Sequence, residues 1–354
     1  MNVKLQNQEV GRPTRAERRA CVASWRIGTP GESLTREQRK FEAWKEELSC
    51  QEERLLERIA SAVNLEGACQ KVKANKGAAG VDGMSAALLP KWLETNLTRL
   101  QGELLKGNYR PQAVKGVDIP KPNGGVRKLG IPTVIDRMVQ QAFVQVLTPE
   151  LDPQMSPSSY GFRPGKNAHD AIKKASQYVR RGYVYAVDLD LEKFFDKVNH
   201  DKLMSRLAQR IKDKRVLYYI RQMLKSGIMD YDGICQKREQ GTPQGGPISP
   251  LLANVMLDDL DKELERRGHQ FCRYADDCII FVKSKEAAQR VLEGVSNFVE
   301  KQLKLKVNRE KSKAAYVEDC VYLGYNIGKG GELETAPCKS GTTEGWDKSG
   351  NKPQ

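Results

Sequence analysis

Apolar and polar residues follow two different periods along this chain, and the period changes from one segment to the next. Apolar positions recur at helical spacing over residues 36–63 and 65–74, a pattern typical of amphipathic helices. Residues 184–190 form a short apolar and β-prone run that ends in carboxylates, and they predict a strand. Two more strands are predicted at 270–275 and 278–282, and two acidic residues separate them.

The remaining segments complete a mixed order of strands and helices. Because strands and helices interleave without regular alternation, the sequence favours an α+β fold with an antiparallel sheet over a doubly wound fold. Residues 1–33 and 328–354 are polar with little apolar periodicity, so we expect them to be poorly ordered. A hairpin is predicted over residues 117–133, and further helices are predicted near 134–147, 168–180, 200–226, 250–267 and 285–302.

Charge and cysteine content narrow the classes of partner. The 354 residues include 59 Lys and Arg against 45 Asp and Glu, which gives a formal net charge of +14. Such a surplus favours a polyanionic partner, with nucleic acid first. The eight cysteines lack Cys-x-x-Cys spacing and there are three histidines, so free thiols are expected and a zinc site is not. No apolar run approaches the length of a membrane span, and no membrane partner is predicted.

The segment Tyr-Ala-Asp-Asp at 274–277 is the most informative part of the chain. Asp is rare in strands and adjacent carboxylates repel, so this predicted hairpin tip indicates a bound cation, usually a divalent metal. A second predicted strand ends at Asp188 and Asp190, which share one face because residues two apart in a strand do so. Two such strands together are typical of a two-metal phosphoryl-transfer site. For Asp188 and Asp190 alone, a strand end with solvated acids is the alternative.

Residues 240–250 form a loop with an unusual composition. The loop holds three glycines and three prolines and runs directly into an amphipathic helix. Ser249 suits the N-cap of that helix and Pro250 suits its first position. Backbone N–H groups in such a loop can bind a phosphate or a base pair. The glycine-rich string at 75–83 can approach another backbone closely, although most such strings are only turns.

In their order along the chain, these motifs resemble those of reverse transcriptases, most closely the ones encoded by bacterial group II introns. The resemblance covers about residues 52–327 in collinear order. Residues 243–261 are its most specific part, and 274–277 match the polymerase signature. The other similar segments are the N-terminal extension motif at 75–83 and the core blocks at 121–132, 160–166, 190–196, 308–311 and 322–325.

The resemblance implies the fingers and palm of a right-hand polymerase, with an antiparallel palm sheet flanked by helices. The fingers, with the extension motif, are expected over residues 51–183, and the palm over 184–327 with a helical segment at about 200–240. Residues 1–50 are expected to be a partly disordered N-terminal extension. Family members continue into a helical thumb, whose apolar periodicity residues 328–354 lack. We therefore expect an absent or vestigial thumb, as in a truncated product.

The resemblance also implies a metal centre. Asp190, Asp276 and Asp277 are expected to be catalytic, and together with Leu191 to hold two Mg²⁺ ions, with Mn²⁺ as an alternative. One metal is expected to activate the primer 3′-hydroxyl and the other to neutralise the triphosphate. Asp190 is preferred to Asp188 because the family has an aromatic residue five positions after its Asp, and here that residue is Phe195.

Six residues are expected to bind substrate. Phe195 is expected to lie under the sugar and exclude the 2′-hydroxyl of ribonucleotides, and Gln244 to line the nucleotide pocket. For the basic candidates, a solvated surface charge is the alternative to phosphate binding. The candidates for the triphosphate are Arg127, Lys128 and Arg163, and the candidate for the pyrophosphate is Lys311.

The expected activity is that of an RNA-directed DNA polymerase. It would add deoxynucleoside triphosphates to a DNA primer on an RNA template, the intron RNA, and act in the bacterial cytoplasm as a ribonucleoprotein. The alternatives are an RNA-binding splicing cofactor (maturase), an RNA-dependent RNA polymerase and an inactive remnant. The three intact carboxylates favour an enzyme over a pure binder, and Phe195 argues against ribonucleotides as substrates.

Overall fold

The computed structural model describes residues 54–120, 126–230 and 232–336, apart from the side chain of Arg127. These ranges contain ten α-helices and eleven strands. The helices are α1 (Leu55–Ala60), α2 (Ala62–Ala74), α3 (Leu89–Leu105), α4 (Val134–Leu151), α5 (Ala168–Arg180), α6 (Phe194–Lys197), α7 (His200–Ala208), α8 (Lys214–Lys225), α9 (Ser249–Arg266) and α10 (Lys285–Phe298). The strands are β1 (Val114–Pro120), β2 (Val126–Ile131), β3 (Tyr185–Leu189), β4 (Ile228–Met229), β5 (Cys235–Gln236), β6 (Gln270–Tyr274), β7 (Asp277–Val282), β8 (Lys313–Tyr316), β9 (Val321–Tyr322), β10 (Tyr325–Ile327) and β11 (Leu333–Thr335).

The central sheet has the strand order β6-β7-β3-β8, and all its neighbouring strands are antiparallel. β6 and β7 form the hairpin predicted around the two acidic residues. The predicted acidic strand, β3, lies between β7 and β8. Helices α5, α9 and α10 pack against this sheet. The predicted α+β fold with an antiparallel sheet flanked by helices is thus confirmed.

A second sheet contains the predicted hairpin of residues 117–133. β1 and β2 pair antiparallel from Lys115 opposite Ile131 to Pro120 opposite Val126. The predicted turn at 121–125 lies outside the described residues. β1 also pairs in parallel with β4, which extends the sheet to the order β2-β1-β4-β5.

A third, small sheet joins β9, β10 and β11. β11 pairs antiparallel with β10, and the Ser176 hydroxyl on α5 donates a hydrogen bond to the Gly331 carbonyl (2.5 Å). The expectation of disorder from residue 328 onward is therefore wrong for residues 328–336. Backbone hydrogen bonds to a neighbouring strand order this segment, and apolar periodicity does not register them. Residues 337–354 lie outside the described ranges.

Buried apolar side chains form two clusters on opposite faces of the central sheet. The larger one runs from Leu55 to Val307 and includes helices α1–α4 together with Val187 and Leu189 of β3. The smaller one contains Ala186, the residue next to Val187, because neighbouring side chains in a strand point to opposite faces. Buried residues from both sides of residue 183 belong to the larger cluster, so the predicted boundary between fingers and palm does not separate two cores. In the described ranges, no helix is both long and apolar enough to cross a membrane.

Helices α3 and α6 were not predicted, and the predicted helices differ from the structure at three places. The helix predicted over 36–63 is interrupted at Ser61, whose extended backbone and side chain cap α2, and its part before residue 54 lies outside the described ranges. The segment 200–226 is two helices, α7 and α8, since Asp213 caps the second. Helix α10 ends at Phe298, and a π-helical turn (Val299–Leu303) completes the predicted run.

The prediction that Ser249 is the N-cap of α9 is wrong. Its hydroxyl donates to the Pro243 carbonyl (2.7 Å) and accepts from the Thr242 hydroxyl (2.9 Å). The helix begins at Ser249 itself, so Pro250 is its second residue, one position later than predicted. The serine thus fixes the preceding loop rather than the helix end, because the loop folds back close enough to offer a carbonyl acceptor.

Candidate active site

The hairpin between β6 and β7 presents two adjacent carboxylates. Tyr274 pairs with Asp277, so Ala275 and Asp276 form a two-residue turn. Such turns require positive φ angles, and Ala275 has a φ of +58°. Asp276 is partly buried and Asp277 is exposed at the start of β7. The Asp pair therefore lies at the hairpin tip, as the sequence predicts.

The third carboxylate, Asp190, comes from the neighbouring strand. β3 pairs with β7 so that Leu189 lies opposite Cys278, which brings the following residue, Asp190, to the edge of the sheet where Asp277 begins β7. The backbone of Asp190 accepts a hydrogen bond from the Asn308 N–H (2.9 Å), and its own N–H donates to the Ser312 hydroxyl (3.0 Å). The segment after α10 thus fixes the position of Asp190.

Lys311 lies beside this carboxylate. Its Nζ is 3.7 Å from Oδ2 of Asp190, and 69% of its side chain is exposed. The Asn308 side chain accepts a hydrogen bond from the Lys311 N–H (3.3 Å), which explains the spacing of these two residues. The structure therefore places Lys311 at the acidic centre, where it can reach a phosphate.

The carboxylates influence one another electrostatically. Partial loss of hydration, and then the negative charges of Asp276, Asp188 and Asp190, raise the pKa of Asp277 to about 6. Burial raises the pKa of Asp188, while Lys313 opposes that rise. Neighbouring like charges disfavour ionisation, and a bound cation would reverse this effect.

The donor chemistry of this centre suits a hard divalent cation. All three predicted side-chain ligands, Asp190, Asp276 and Asp277, offer carboxylate oxygens, the atoms that Mg²⁺ and Mn²⁺ prefer. In the described part of the chain, no three His, Cys, Asp or Glu side chains are already gathered at metal-binding spacing. The carboxylates are close enough to raise the pKa of Asp277, but they would have to move closer together to bind one metal ion. Leu191 directly follows Asp190 and lies opposite Val307 in an isolated bridge, whose hydrogen bonds join the flanking pairs Asp190–Asn308 and Glu192–Lys306.

A cavity of about 520 Å³ brings Phe195 and Gln244 together. Phe195 is partly buried and packs against Phe194, with ring centroids 5.2 Å apart. The Phe195 carbonyl accepts a hydrogen bond from the Thr242 N–H (2.7 Å), which joins the aromatic residue to the glycine-rich loop. The cavity is lined by Val72, Asn75, Leu129, Arg137, Gln141, Phe162, Phe195, Gln244, Gly245, Gly246, Pro247, Ser249 and Pro250.

Glycines allow the loop at 240–250 to lie against two backbones. Gly241 has a φ of +83°, and a Cβ there would lie 2.8 Å from the carbonyl oxygens of Phe195 and Asp196. A Cβ on Gly245 would lie 2.9 Å from the Gly130 carbonyl oxygen of β2. The Gly130 N–H donates to the Gln244 carbonyl (2.9 Å). The composition of this loop thus reflects close backbone packing that forms one wall of the cavity.

His200 also holds this loop. The residue is buried, and its Nε2 lies 2.7 Å from the Gly241 carbonyl, so the tautomer with a proton on Nε2 donates there. Burial lowers the pKa of His200; the positive charges of Arg238 and Arg221 act in the same direction, while the Gly241 hydrogen bond and Asp201 oppose them. The native state therefore favours the neutral imidazole.

We expect His200 to make stability depend on pH. A lowered native pKa means that, as the pH falls through the ordinary histidine value of about 6.5, the unfolded chain takes up a proton more readily and the fold loses stability. His200→Gln should show a shallower fall in melting temperature than the wild type between about pH 7.5 and 5.5. His169→Gln, which changes an exposed histidine, is the control. Equal slopes for wild type and His200→Gln would contradict the prediction.

The three basic residues predicted for the triphosphate occupy different environments. Lys128 is exposed on β2, opposite Asp118. Arg127 lies on the same strand, opposite Ile119. The Arg163 side chain is only 7% exposed, and its Nε lies 2.7 Å from Oδ1 of Asp152.

The remaining nitrogens of Arg163 are also engaged within the protein. Nη2 donates to the Asp152 carbonyl (2.9 Å), and Nη1 donates to the Ser156 and Ser159 carbonyls. A triphosphate would have to compete with all these acceptors. The contacts favour a structural role for Arg163 in holding the loop at 156–163, and a triphosphate role for this residue stays an untested prediction.

Two arginines of the site were not predicted from the sequence. Arg137 on α4 is 9% exposed and lines the cavity, and its Nη2 donates to the Ala78 carbonyl (2.7 Å) of the glycine-rich string at 75–83. Its Nε is buried and has no hydrogen-bond partner among the described residues. Arg273 is fully buried directly before the hairpin tip. A charged residue within the apolar pattern of Val134–Met138 or of β6 is the signal that could have identified them.

Comparisons with known proteins agree with this arrangement. Residues 119–327 match the family described as reverse transcriptase (RNA-dependent DNA polymerase). Protein YkfC of Escherichia coli (strain K12) is 33% identical over 333 residues, which cover 82% of this chain and 87% of YkfC. Group II intron-encoded protein LtrA of Lactococcus lactis subsp. cremoris is 28% identical over 326 residues, which cover 73% of this chain and 54% of LtrA.

The fold is also similar to that of a solved telomerase. The telomerase from Candida tropicalis, in complex with a fragment of telomeric RNA, superposes with a TM-score of 0.50 over 73% of this chain and 50% of the telomerase chain. At 15% identity this likeness concerns the fold alone. The chain spans about half the length of LtrA. From the matched family and these relatives, the chain belongs to the reverse transcriptases, and among them to the type that group II introns encode.

Proposed function

We propose that this chain is an RNA-directed DNA polymerase that adds deoxynucleotides to a primer on an RNA template. The observation that carries the proposal is the meeting of Asp190 with Asp276 and Asp277 at one edge of an antiparallel sheet. The mutual influence of these carboxylates on the pKa of Asp277 supports a shared site. The neighbouring cavity supplies space for a nucleotide and contains Phe195 and Gln244.

The carboxylates would hold two Mg²⁺ ions, with Mn²⁺ as a substitute, and Leu191 would contribute from its backbone. When bound, divalent ions supply Lewis-acid stabilisation of the charge that develops during phosphoryl transfer. The Asn308 and Ser312 contacts hold the backbone of Asp190, which fixes the point from which its carboxylate projects. Lys311 lies 3.7 Å from this carboxylate, so its ammonium group can follow the leaving pyrophosphate.

The nucleotide would occupy the cavity between the glycine-rich loop and β2. Gln244 lies on the loop wall, with Nε2 3.4 Å from Oδ1 of Asp196, so its side chain can turn toward a bound nucleotide. Lys128 is exposed on β2 and can reach a phosphate as a point charge. Arg127 is proposed for the same role because it belongs to the block at 121–132 that resembles the reverse transcriptases. Arg163 is the weakest of the proposed phosphate ligands, because acceptor groups of the protein already bind its guanidinium.

Phe195 is proposed to exclude ribonucleotides. Replacement by Ala opens the cavity floor, so we expect the kcat/KM for ribonucleotides relative to deoxynucleotides to rise about tenfold or more. The measurement is single-nucleotide addition with matched pairs of ribo- and deoxynucleotides. Phe298→Ala is the control, since it removes a partly buried phenylalanine from α10 instead. If the wild type already used both sugars equally, the role of Phe195 would be wrong.

The proposed partners are an RNA template, which includes the intron RNA, a DNA primer and deoxynucleoside triphosphates. The net charge of +14 supports a nucleic-acid partner, because Lys and Arg neutralise backbone phosphates. We also propose a ribonucleoprotein in the bacterial cytoplasm, by analogy with LtrA, the intron-encoded bacterial relative. A splicing cofactor would share the RNA partner, but it would have no need of the three carboxylates.

The experiment that tests this function uses four RNA templates that differ at one base. With a DNA primer and Mg²⁺, the wild type should add the complementary deoxynucleotide on each template. Addition that ignores the template base would contradict a templated polymerase. RNA binding without any addition would favour the splicing cofactor.

A further inference from the structure

Arg273 lies three residues before Asp276 and is fully buried. It belongs to β6, the first strand of the hairpin, and none of its guanidinium is exposed. A buried arginine is costly unless every donor is used. The partners of Arg273 therefore indicate what this residue does for the site.

The guanidinium binds four residues, which belong to α9, to the loop at 158–161 and to the hairpin turn. Its Nε and Nη2 bind both carboxylate oxygens of Asp261 on α9, at 2.7 and 2.5 Å. Nη2 also donates to the Ser159 hydroxyl (2.8 Å), and Nη1 donates to the Asn254 side-chain oxygen (2.9 Å). The last bond, from Nη1 to the Ala275 carbonyl (2.8 Å), reaches the hairpin turn itself.

Ala275 needs such a restraint. Its φ of +58° lies in the left-handed region, which a residue with a Cβ adopts only when its surroundings impose it. The peptide group that joins Ala275 to Asp276 carries the carbonyl that Arg273 holds. This peptide group sets the φ angle of Asp276, so the bond from Arg273 restrains the backbone that carries the first carboxylate of the pair.

The loop at 158–161 completes the restraint. The Arg273 N–H donates to the Ser158 carbonyl (2.9 Å), and the Tyr160 N–H donates to the Arg273 carbonyl (2.8 Å). The Asn254 side chain, which already binds Arg273, donates to the Gly161 carbonyl (2.8 Å). The hairpin is thus fixed from α9 and from this loop at once, with the guanidinium as their common point.

We propose that Arg273 is a positioning residue, whose bond to the Ala275 carbonyl sets the hairpin turn and thereby the divalent-metal affinity of Asp276 and Asp277. Arg273 itself touches no metal or substrate. The proposal rests on the proposed polymerase function. It adds that the packing of α9 affects the metal centre, because Arg273 binds both Asp261 of α9 and the hairpin turn.

The test compares two buried arginines that pair with the same helix. Arg273→Lys keeps the charge beside Asp261, but a single ammonium cannot bind all four partners. Arg210→Lys is the matched control, because Arg210 pairs with the buried Asp258 of α9 and does not contact the hairpin. The readouts are Mn²⁺ binding by electron paramagnetic resonance without substrate, melting temperature, and the Mg²⁺ concentration for half-maximal primer extension.

Both variants should lower the melting temperature, because each weakens a buried ion pair. Only Arg273→Lys should weaken Mn²⁺ binding, by about tenfold as for other supports of metal ligands, and raise the half-maximal Mg²⁺ concentration. Extension at saturating Mg²⁺ should recover part of the loss. Equal Mn²⁺ affinity in wild type and Arg273→Lys would overturn the proposal and leave Arg273 as a core ion pair.

A milder variant decides the question if Arg273→Lys does not fold. Ser159→Ala removes one hydrogen bond from Nη2 and should weaken Mn²⁺ binding by a smaller factor in the same direction; an unchanged affinity would overturn the proposal. Failure of the proposed function gives a different result, since the wild type itself would then show neither Mn²⁺ binding nor primer extension.

Discussion

Replacing Asp276 with Asn is expected to abolish primer extension. The substitution preserves the size of the side chain and removes one anionic ligand from the predicted metal centre. Metal ions contribute several kcal/mol of transition-state stabilisation, and each 1.36 kcal/mol corresponds to a factor of ten in rate. We therefore expect the single-turnover rate to fall by about 10³-fold or more, as measured with saturating primer and template.

A thermal shift measured without substrate separates metal loss from misfolding. A ligand present at about 100 times its Kd stabilises the native state by about 2.7 kcal/mol, so Mg²⁺ should raise the melting temperature of the wild type. Asp276→Asn should show little of this increase. An active variant with a normal Mg²⁺ shift would show that Asp276 does not hold the metal.

The second large effect is expected for Gly161→Ala. A Cβ at this position would lie 2.2 Å from the Ala275 nitrogen and 2.9 Å from the Tyr274 carbonyl carbon. Both are backbone atoms of the hairpin that carries Asp276 and Asp277, so neither can move aside as a flexible side chain could. The hairpin tip or the loop at 158–161 must shift by about 1 Å, and a displacement of this size can cost about 100-fold in rate.

Gly102→Ala is the matched control for this prediction. Gly102 lies in helix α3, and a Cβ there would have no atom within 4 Å, so alanine should leave extension unchanged. The measurements are kcat and KM for a deoxynucleotide, together with the melting temperature. A Gly161→Ala enzyme with wild-type kcat would mean that this close contact does not set the geometry of the centre.

The sequence predicts the hairpin that carries Asp276 and Asp277 well, because the residues that indicate it are neighbours in the chain. Asp is unfavourable in a strand, and two of them between apolar runs have few explanations other than a turn and a cation. The pairing of Leu189 with Cys278 then follows from the need to bury both strands in one sheet. Phe195 and Gln244 line one cavity because the loop at 240–250 hydrogen-bonds to the Phe195 backbone.

The residues that local patterns describe least well depend on contacts that form only in the folded chain. Arg163 belongs to a motif that indicates a phosphate ligand, yet Asp152 and carbonyl groups of the same loop surround it. Ser249 has the spacing of an N-cap, but the Pro243 carbonyl binds its hydroxyl. Arg273 depends on Asp261 and Ser159, and Ser159 lies 114 positions away. Local propensity cannot register such contacts, because the chain must fold before they exist.

The most direct test of the proposed polymerase site is Mg²⁺-dependent extension of a DNA primer on an RNA template by wild type, Asp190→Asn and Asp188→Asn. The two carboxylates lie two residues apart, at the end of β3 and just beyond it, so the variants are closely matched. We expect templated extension by the wild type, none by Asp190→Asn, and retention of most activity by Asp188→Asn. No extension by a folded, RNA-bound wild type, or full activity in Asp190→Asn, would contradict the proposed site.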